Sequence, residues 1–219
     1  MGSKFMGQDK KLVVIIDYGM GNLLSVKKAF EFLGVDVLLS NKFSYIKKAS
    51  HLVLPGVGAF REGMRNLKHL NLPTILKKEV VVGKKPFLGI CLGLQLLAKD
   101  SEEFGFHEGL GWLDASVKKF DFKKDRLKIP HVGWNSIEIK RRHFLLEGLK
   151  ENPEFYFIHS YHFVCRQKEN IKAVCQYGIE FVAAAGQENI FAVQFHPEKS
   201  QNAGLKILQN FLNWDGIKI

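Results

Sequence analysis

Cys91 stands between Gly89 and Gly93 in the stretch PFLGICLGLQLL, where an apolar strand-like run gives way to an apolar helix-like one. The pattern G-x-C-x-G is the thiol form of a nucleophile elbow: a tight strand-to-helix turn projects the nucleophile and the flanking glycines leave room for it. At such a turn the unpaired N–H groups and the dipole of the following helix favour a thiolate, and the Leu92 N–H can face an oxyanion formed on an attacked carbonyl. The competing reading is a buried structural cysteine, because free cysteine is among the most buried residue types. A nucleophile requires a base, and VQFHPEKS offers one. His196 follows the strand-like IFAVQF, and Pro197 is expected to hold the next step extended, so that His196 and Glu198 point the same way. Cys91, His196 and Glu198 then suit a triad in which imidazole takes the thiol proton while the carboxylate orients the ring and stabilises imidazolium.

A second Gly-rich turn, LPGVGAF, can bring the amides of Val57 and Gly58 close to a ligand and so supply the other oxyanion donor; a plain tight turn is the alternative. The first turn, Gly19-Met20-Gly21-Asn22-Leu23-Leu24, mimics the start of a dinucleotide fingerprint but lacks its third glycine and a following acid, which argues against nucleotide binding. His131, His159 and His162 sit in aromatic or aliphatic strand-like runs without the paired spacing of metal ligands, so structural or binding roles are expected for them and no metal.

The elements that must position these groups alternate in the first half of the chain. KLVVIIDYGMGN reads as strand and turn, and LLSVKKAFEFLG as a helix with Leu24, Ala29, Phe30 and Leu33 at helical spacing. VDVLLS, HLVLPG and KPFLGIC read as further strands, SYIKKA as a short helix, MRNLKHLNLPTILKKEVVVG as a helix broken near Pro73, and LGLQLLAKDSEE as the helix of the elbow. Beyond about residue 108 short alternating segments such as WLDASVKKFDF, RLKIPHVGWNSIEIK and FYFIHSYHFVC predict antiparallel strands, read as an extension of one sheet; NAGLKILQNFLNW returns to helix. The pattern implies an α/β fold, a mainly parallel sheet covered by helices on both faces with an antiparallel β extension.

A chain of 219 residues, 46% of them hydrophobic, can bury one substantial core, so one domain over 11–219 is expected. The opening MGSKFMGQDK, residues 1–10, reads as an appended leader with a natural start near Met6. No apolar run approaches the ~18–20 residues needed to span a bilayer, so no membrane partner is expected. Cys91, Cys165 and Cys175 are odd in number and form no CxxC pair, which argues against a disulfide framework or a zinc site and suits a reducing cytoplasm; no cofactor is expected. The net charge of +10 comes mostly from dispersed lysines. Its densest run, VKKFDFKKDRLKI, alternates charged and apolar residues as the solvated face of a hairpin does, so nucleic acid is not expected as a partner.

The elbow, the PGVG turn and the HPE segment together resemble the class I (triad) glutamine amidotransferases. The motifs IIDYGMGNLLSVKKAF and PHVGWNS narrow the resemblance to glutaminase subunits that serve a (β/α)8-barrel cyclase in histidine biosynthesis; with FYFIHSY and VQFHPEKS they cover nearly the whole chain from Leu12. The resemblance implies a three-layer, flavodoxin-like arrangement and glutamine as substrate. It makes Cys91 the nucleophile on the side-chain amide, His196 the base and later the acid, and Glu198 the orienting carboxylate. The oxyanion would lie between the Leu92 amide and the turn at Val57 and Gly58, with Gln95, Ser160 and Tyr161 helping to hold glutamine and Glu103 taking its α-amine. Asn22, Trp134 and Lys199 match the face that meets the barrel partner, through which ammonia passes, and glutaminase activity is expected to be low until that partner binds. Two other readings stand beside it. One is a paralogous glutaminase supplying ammonia for amidination of a surface-polysaccharide sugar. The other is a non-catalytic regulatory subunit, against which the intact Cys91, His196 and Glu198 argue. An α/β-hydrolase is disfavoured because its acid usually lies well before its histidine, whereas Glu198 follows His196 closely.

Overall fold

The computed structural model describes residues 11–122 and 127–217; the leader expected over 1–10 and residues 123–126 of the basic stretch lie outside the described residues. In chain order the first half runs β1 (Leu12–Ile16), α1 (Leu23–Phe32), β2 (Asp36–Ser40), α2 (Phe43–Lys48), β3 (His51–Gly56), α3 (Phe60–His69), α4 (Leu72–Leu76), a π-helical turn (Lys77–Val82), β4 (Phe87–Cys91) and α5 (Leu92–Gln95). The second half is strand-rich: β5 (Asp100–Ser101), β6 (His107–Glu108), β7 (Ala115–Lys119), β8 (His131–Ile139), β9 (Glu154–His159), β10 (Tyr161–Cys165), β11 (Ile171–Tyr177), β12 (Ile179–Gln187), β13 (Ile190–Val193) and the closing helix α6 (Gln201–Asn213).

A nine-stranded sheet runs in the order β2-β1-β3-β4-β13-β12-β11-β8-β9. Its ladders from β2 to β13 are parallel and those from β13 to β9 antiparallel, so the expected parallel frame and antiparallel extension are both present. Parallel strands covered on both faces are apolar throughout, and β1 illustrates why. Val13 and Ile15 point into a core shared with Val26 and Phe30 of α1 and Phe211 of α6. Val14 and Ile16 point the other way, to Ile46 of α2, Phe60 of α3 and Leu76 of α4. No helix among the described residues is long and apolar enough to cross a membrane.

Three expectations are corrected. The β-rich half is not one sheet extension, because β10, β7, β5 and β6 form a second, four-stranded sheet. Within FYFIHSYHFVC the chain passes from one sheet to the other at Ser160, between β9 and β10. Leu24 does not join the core face of α1, where Val26 and Phe30 are the buried residues; it is 63% exposed. The elbow helix does not continue to Glu103. It ends at Gln95 because the carbonyls that would extend it are taken from outside: Leu110 N donates to Leu96 O, Trp112 N and Leu113 N to Leu97 O, and Gly111 N to Ala98 O.

Close backbone approach fixes the elbow. Gly56, at the end of β3, is in register with Cys91, at the end of β4, so the two Gly-rich turns emerge side by side. A Cβ on Gly89 would stand 3.0 Å from the Ala192 Cβ of β13, and one on Gly93 would overlap the Leu54 carbonyl oxygen of β3. Cys91 itself has φ 55° and ψ −108°, a conformation that costs a non-glycine residue energy and holds only where its surroundings enforce it. Gly93→Ala drives a methyl group into backbone atoms that cannot yield. The expected loss is about 3 kcal/mol or more, a fall of roughly 6–12 °C in the denaturation midpoint. An unchanged midpoint by calorimetry would show that β3 and the elbow can separate.

Candidate active site

β13 ends at Val193, short of the expected strand over IFAVQF, and the chain then turns. Gln194 N still bonds Ala183 O at 2.9 Å, and His196 N bonds Tyr156 O at 2.9 Å, which anchors the histidine to β9. Pro197–Lys199 forms a 3-10 turn, so it is helical winding and not an extended step that brings Glu198 back to His196. Nδ1 of His196 lies 2.8 Å from Oε1 of Glu198, with the two side chains 2% and 1% exposed. Ser200 locks this turn: its hydroxyl donates to His196 O at 2.6 Å and accepts from Tyr156 N at 3.0 Å.

With Nδ1 held by the carboxylate, Nε2 is the ring atom left for proton exchange, and it makes no hydrogen bond; neither does Oε2 of Glu198. The Cys91 sulfur lies 3.9 Å from the Ile158 carbonyl, and Gln194 Nε2 approaches it to 3.7 Å. Burial lowers the pKa of His196, but the negative charge of Cys91 and then Glu198 more than offset this and raise it to about 10. The dipole expected from the elbow helix contributes little, since α5 is a single turn and only a few peptide dipoles align.

Cys91 opens onto a cleft of about 390 Å³. Val57, Gly58, Leu92, Gln95, Glu103, Ser160 and Tyr161 all line it, and Lys199 reaches its edge. Both amide hydrogens of Gln95 are already committed, to Tyr161 O at 3.0 Å and Gln194 Oε1 at 3.1 Å, so only its carbonyl oxygen can face a ligand. Glu103 Oε2 accepts from Phe60 N at 2.6 Å, tying the carboxylate to the start of α3, while burial raises its pKa. Asn22 and Trp134 are outside this cleft. Asn22 is partly buried at the start of α1. Trp134 is 46% exposed on β8, edge-on to Tyr156, and lines a neighbouring groove of about 480 Å³ with Ser200 and Lys206. Lys199 Nζ lies 5.7 Å from the centre of the Tyr156 ring, so Trp134, Tyr156 and Lys199 form one exposed group.

Two features escaped the sequence. Gln194, fully buried, joins the Cys91 sulfur to Gln95; its position two residues before His196 was the available signal. His131 and His159, opposite one another in the β8–β9 ladder, are hydrogen-bonded at 3.1 Å. His159 Nδ1 must donate to Tyr161 O at 2.8 Å, so its Nε2 accepts from His131 Nδ1. Burial lowers their pKa values to about 3 for His159 and about 4 for His131, which keeps this pair neutral beside the cleft. Among the described residues, no group of three or more histidine, cysteine, aspartate or glutamate side chains could hold a metal ion.

The sequence matches the family described as Glutamine amidotransferase class-I over residues 14–214. It is 47% identical over 201 residues to a protein of Methanococcus maripaludis named Imidazole glycerol phosphate synthase subunit HisH 2, covering 92% of this chain and 98% of that one. It is 49% identical over 199 residues to Imidazole glycerol phosphate synthase subunit HisH of Aquifex aeolicus, covering 90% and 94%. A Campylobacter jejuni protein named subunit HisH 1 of the same synthase is 48% identical over 200 residues, covering 91% and 98%. In fold the chain is similar to PurLQS of Thermotoga maritima, with a TM-score of 0.70 at 17% identity over 93% of this chain and 98% of that one. The match across nearly all of the described residues and the high identity to whole relatives decide the family: the chain belongs to the class I glutamine amidotransferases.

Proposed function

We infer that this chain is the glutaminase subunit of an imidazole glycerol phosphate synthase, hydrolysing glutamine and passing ammonia to a (β/α)8-barrel cyclase that forms imidazole glycerol phosphate and AICAR in histidine biosynthesis. The observation that carries the chemistry is the enclosed His196–Glu198 pair beside Cys91, which lies on the wall of a cleft of about 390 Å³. The names of relatives at 47–49% identity support the pathway.

In this reading the Cys91 thiolate attacks the side-chain amide carbon of glutamine. The negative charge passes to the amide oxygen, which the Leu92 N–H and the amides of Val57 and Gly58 receive. Imidazolium at His196 gives its Nε2 proton to the leaving nitrogen, and ammonia departs as the thioester forms. Neutral His196 then takes a proton from water as it attacks the thioester; glutamate leaves and the ion pair is restored. Glu198 holds the ring so that Nε2 carries the exchange. Glu103 is suited to the α-amine and the Gln95 carbonyl to another donor of the substrate, with Ser160 and Tyr161 beside them. Asn22, Trp134 and Lys199 are assigned to the face that receives the cyclase, and three free cysteines suit a reducing cytoplasm. The copy numbers in the names HisH 1 and HisH 2 favour retaining a second reading, a paralogue that supplies ammonia for amidination of a surface-polysaccharide sugar.

Glutamate release by the purified chain, alone and with each candidate synthase, tests the assignment: stimulation by the imidazole-forming cyclase is expected, and stimulation only by the sugar-modifying synthase would transfer the chain to the second reading. Cys91→Ala should abolish glutamine-dependent product while the complex still uses added ammonium salt; loss of both activities would mean the residue is structural. Imidazolium is present below its raised pKa and lost as pH rises through about 10, so kcat/KM should fall on the alkaline side there. Glu198→Gln removes one cause of that rise and should bring the alkaline limb toward neutrality; an unmoved limb would remove Glu198 from its role. Trp134→Ala should weaken cyclase binding about tenfold or more while moving the denaturation midpoint by no more than about 2 °C. Unchanged binding by calorimetric titration would withdraw the interface assignment.

A further inference from the structure

Tyr18 follows β1 and is 1% exposed, packed in the core with Phe60 and Leu92 and not part of the cleft lining. Its hydroxyl is enclosed and has no hydrogen-bond partner. Burial and then the charge of Cys91 push its pKa upward, so the oxygen keeps its hydrogen throughout the working range of pH. An enclosed hydroxyl without an acceptor destabilises a fold, and phenylalanine would fill the same space without that penalty. A state of the chain that offered this hydroxyl an acceptor would therefore be favoured.

Its neighbours indicate which acceptor. The hydroxyl lies against Gly56 so closely that a Cβ on that residue would overlap it, and the same Cβ would stand 2.9 Å from the Leu92 Cβ. Tyr18 thus meets the backbone between the two segments that carry the Val57 and Leu92 amides. In a trans peptide, C=O and N–H point in opposite directions. When the Val57 N–H is turned into the cleft, the Gly56 carbonyl is turned to the enclosed side of the strand, where the Tyr18 hydroxyl stands. That carbonyl does not take the Tyr18 hydrogen in this structure. The turn has latitude to move: Gly58 has φ 106° and Val57 is 40% exposed.

We propose that Tyr18 is a positioning residue for the oxyanion hole, its hydroxyl donating to the Gly56 carbonyl when the Gly56–Val57 peptide turns the Val57 N–H toward the substrate, and lacking a partner when the peptide is turned away. The hydrogen bond exists in one of the two arrangements only, so it shifts their balance toward the working one. This rests on the glutaminase reading above.

The test is Tyr18→Phe, assayed for glutamate release across a glutamine titration, alone and saturated with the imidazole-forming cyclase, with thermal denaturation in parallel. The loss of one transition-state-linked hydrogen bond should lower kcat of the complex about tenfold, leave KM within about twofold, and keep or raise the denaturation midpoint. A kcat equal to that of the unaltered complex overturns the proposal. So does a fall in kcat matched by a fall in midpoint, which would mean that the hydroxyl only supports the fold. Failure of the unaltered complex to release glutamate in a Cys91-dependent manner overturns the glutaminase reading itself, and the proposal with it; activity in that complex with an indifferent phenylalanine variant overturns the proposal alone.

Discussion

The contact between Gly93 and the Leu54 carbonyl oxygen allows no side chain at all, and the layout of the site depends on it. It presses the start of α5 onto β3, so Cys91 must turn through a left-handed conformation to join β4 to that helix. Since Gly56 is in register with Cys91, the same approach sets the amides of the PGVG turn beside the sulfur. Glu103 is then delivered by the stretch beyond α5: the chain is caught by the segment from Leu110 to Leu113, bends into β5, and returns the carboxylate to Phe60 N. A longer elbow helix would have carried Glu103 away along its axis at about 1.5 Å per residue.

Enclosure acts on the histidines here with opposite outcomes. His131, His159 and His162 are surrounded by aromatic rings, and burial holds their pKa values near 3 to 4. His196 is enclosed as well, yet its pKa is raised, because its interactions with Cys91 and then with the Glu198 carboxylate outweigh burial. A buried imidazole without an anionic neighbour stays neutral; one beside a carboxylate becomes a held proton. The cleft uses both kinds, the first to fix Tyr161 O through His159 and the second beside Cys91.

Local patterns made much of this legible. The apolar, β-rich run of β1 predicted a strand, and G-x-C-x-G predicted the elbow, because each reports a constraint within a few residues. HPE brought His196 and Glu198 together although the route was wrong: a 3-10 turn closes the pair where an extended step was expected. Long-range events left no such trace. The capture of the Leu97 and Ala98 carbonyls depends on a loop more than ten residues away, and the change of sheet at Ser160 depends on which partner each half of FYFIHSYHFVC finds. The pairing of His131 with His159 follows from the β8–β9 register, which no local spacing encodes.

Buried polar atoms nearly always find partners, and those that do not mark places where a structure is incomplete in one state. Among the described residues, six enclosed side-chain atoms lack partners: His107 Nε2, His162 Nδ1 and Asn189 Oδ1, and, in groups gathered around Cys91, Tyr18 Oη, His196 Nε2 and Glu198 Oε2. Each of the last three is matched to a different event. In the proposed reaction His196 Nε2 exchanges a proton with substrate, Glu198 Oε2 is the free edge of a carboxylate whose other oxygen already holds the ring, and in the proposed switch the tyrosine hydroxyl answers to the orientation of a backbone peptide.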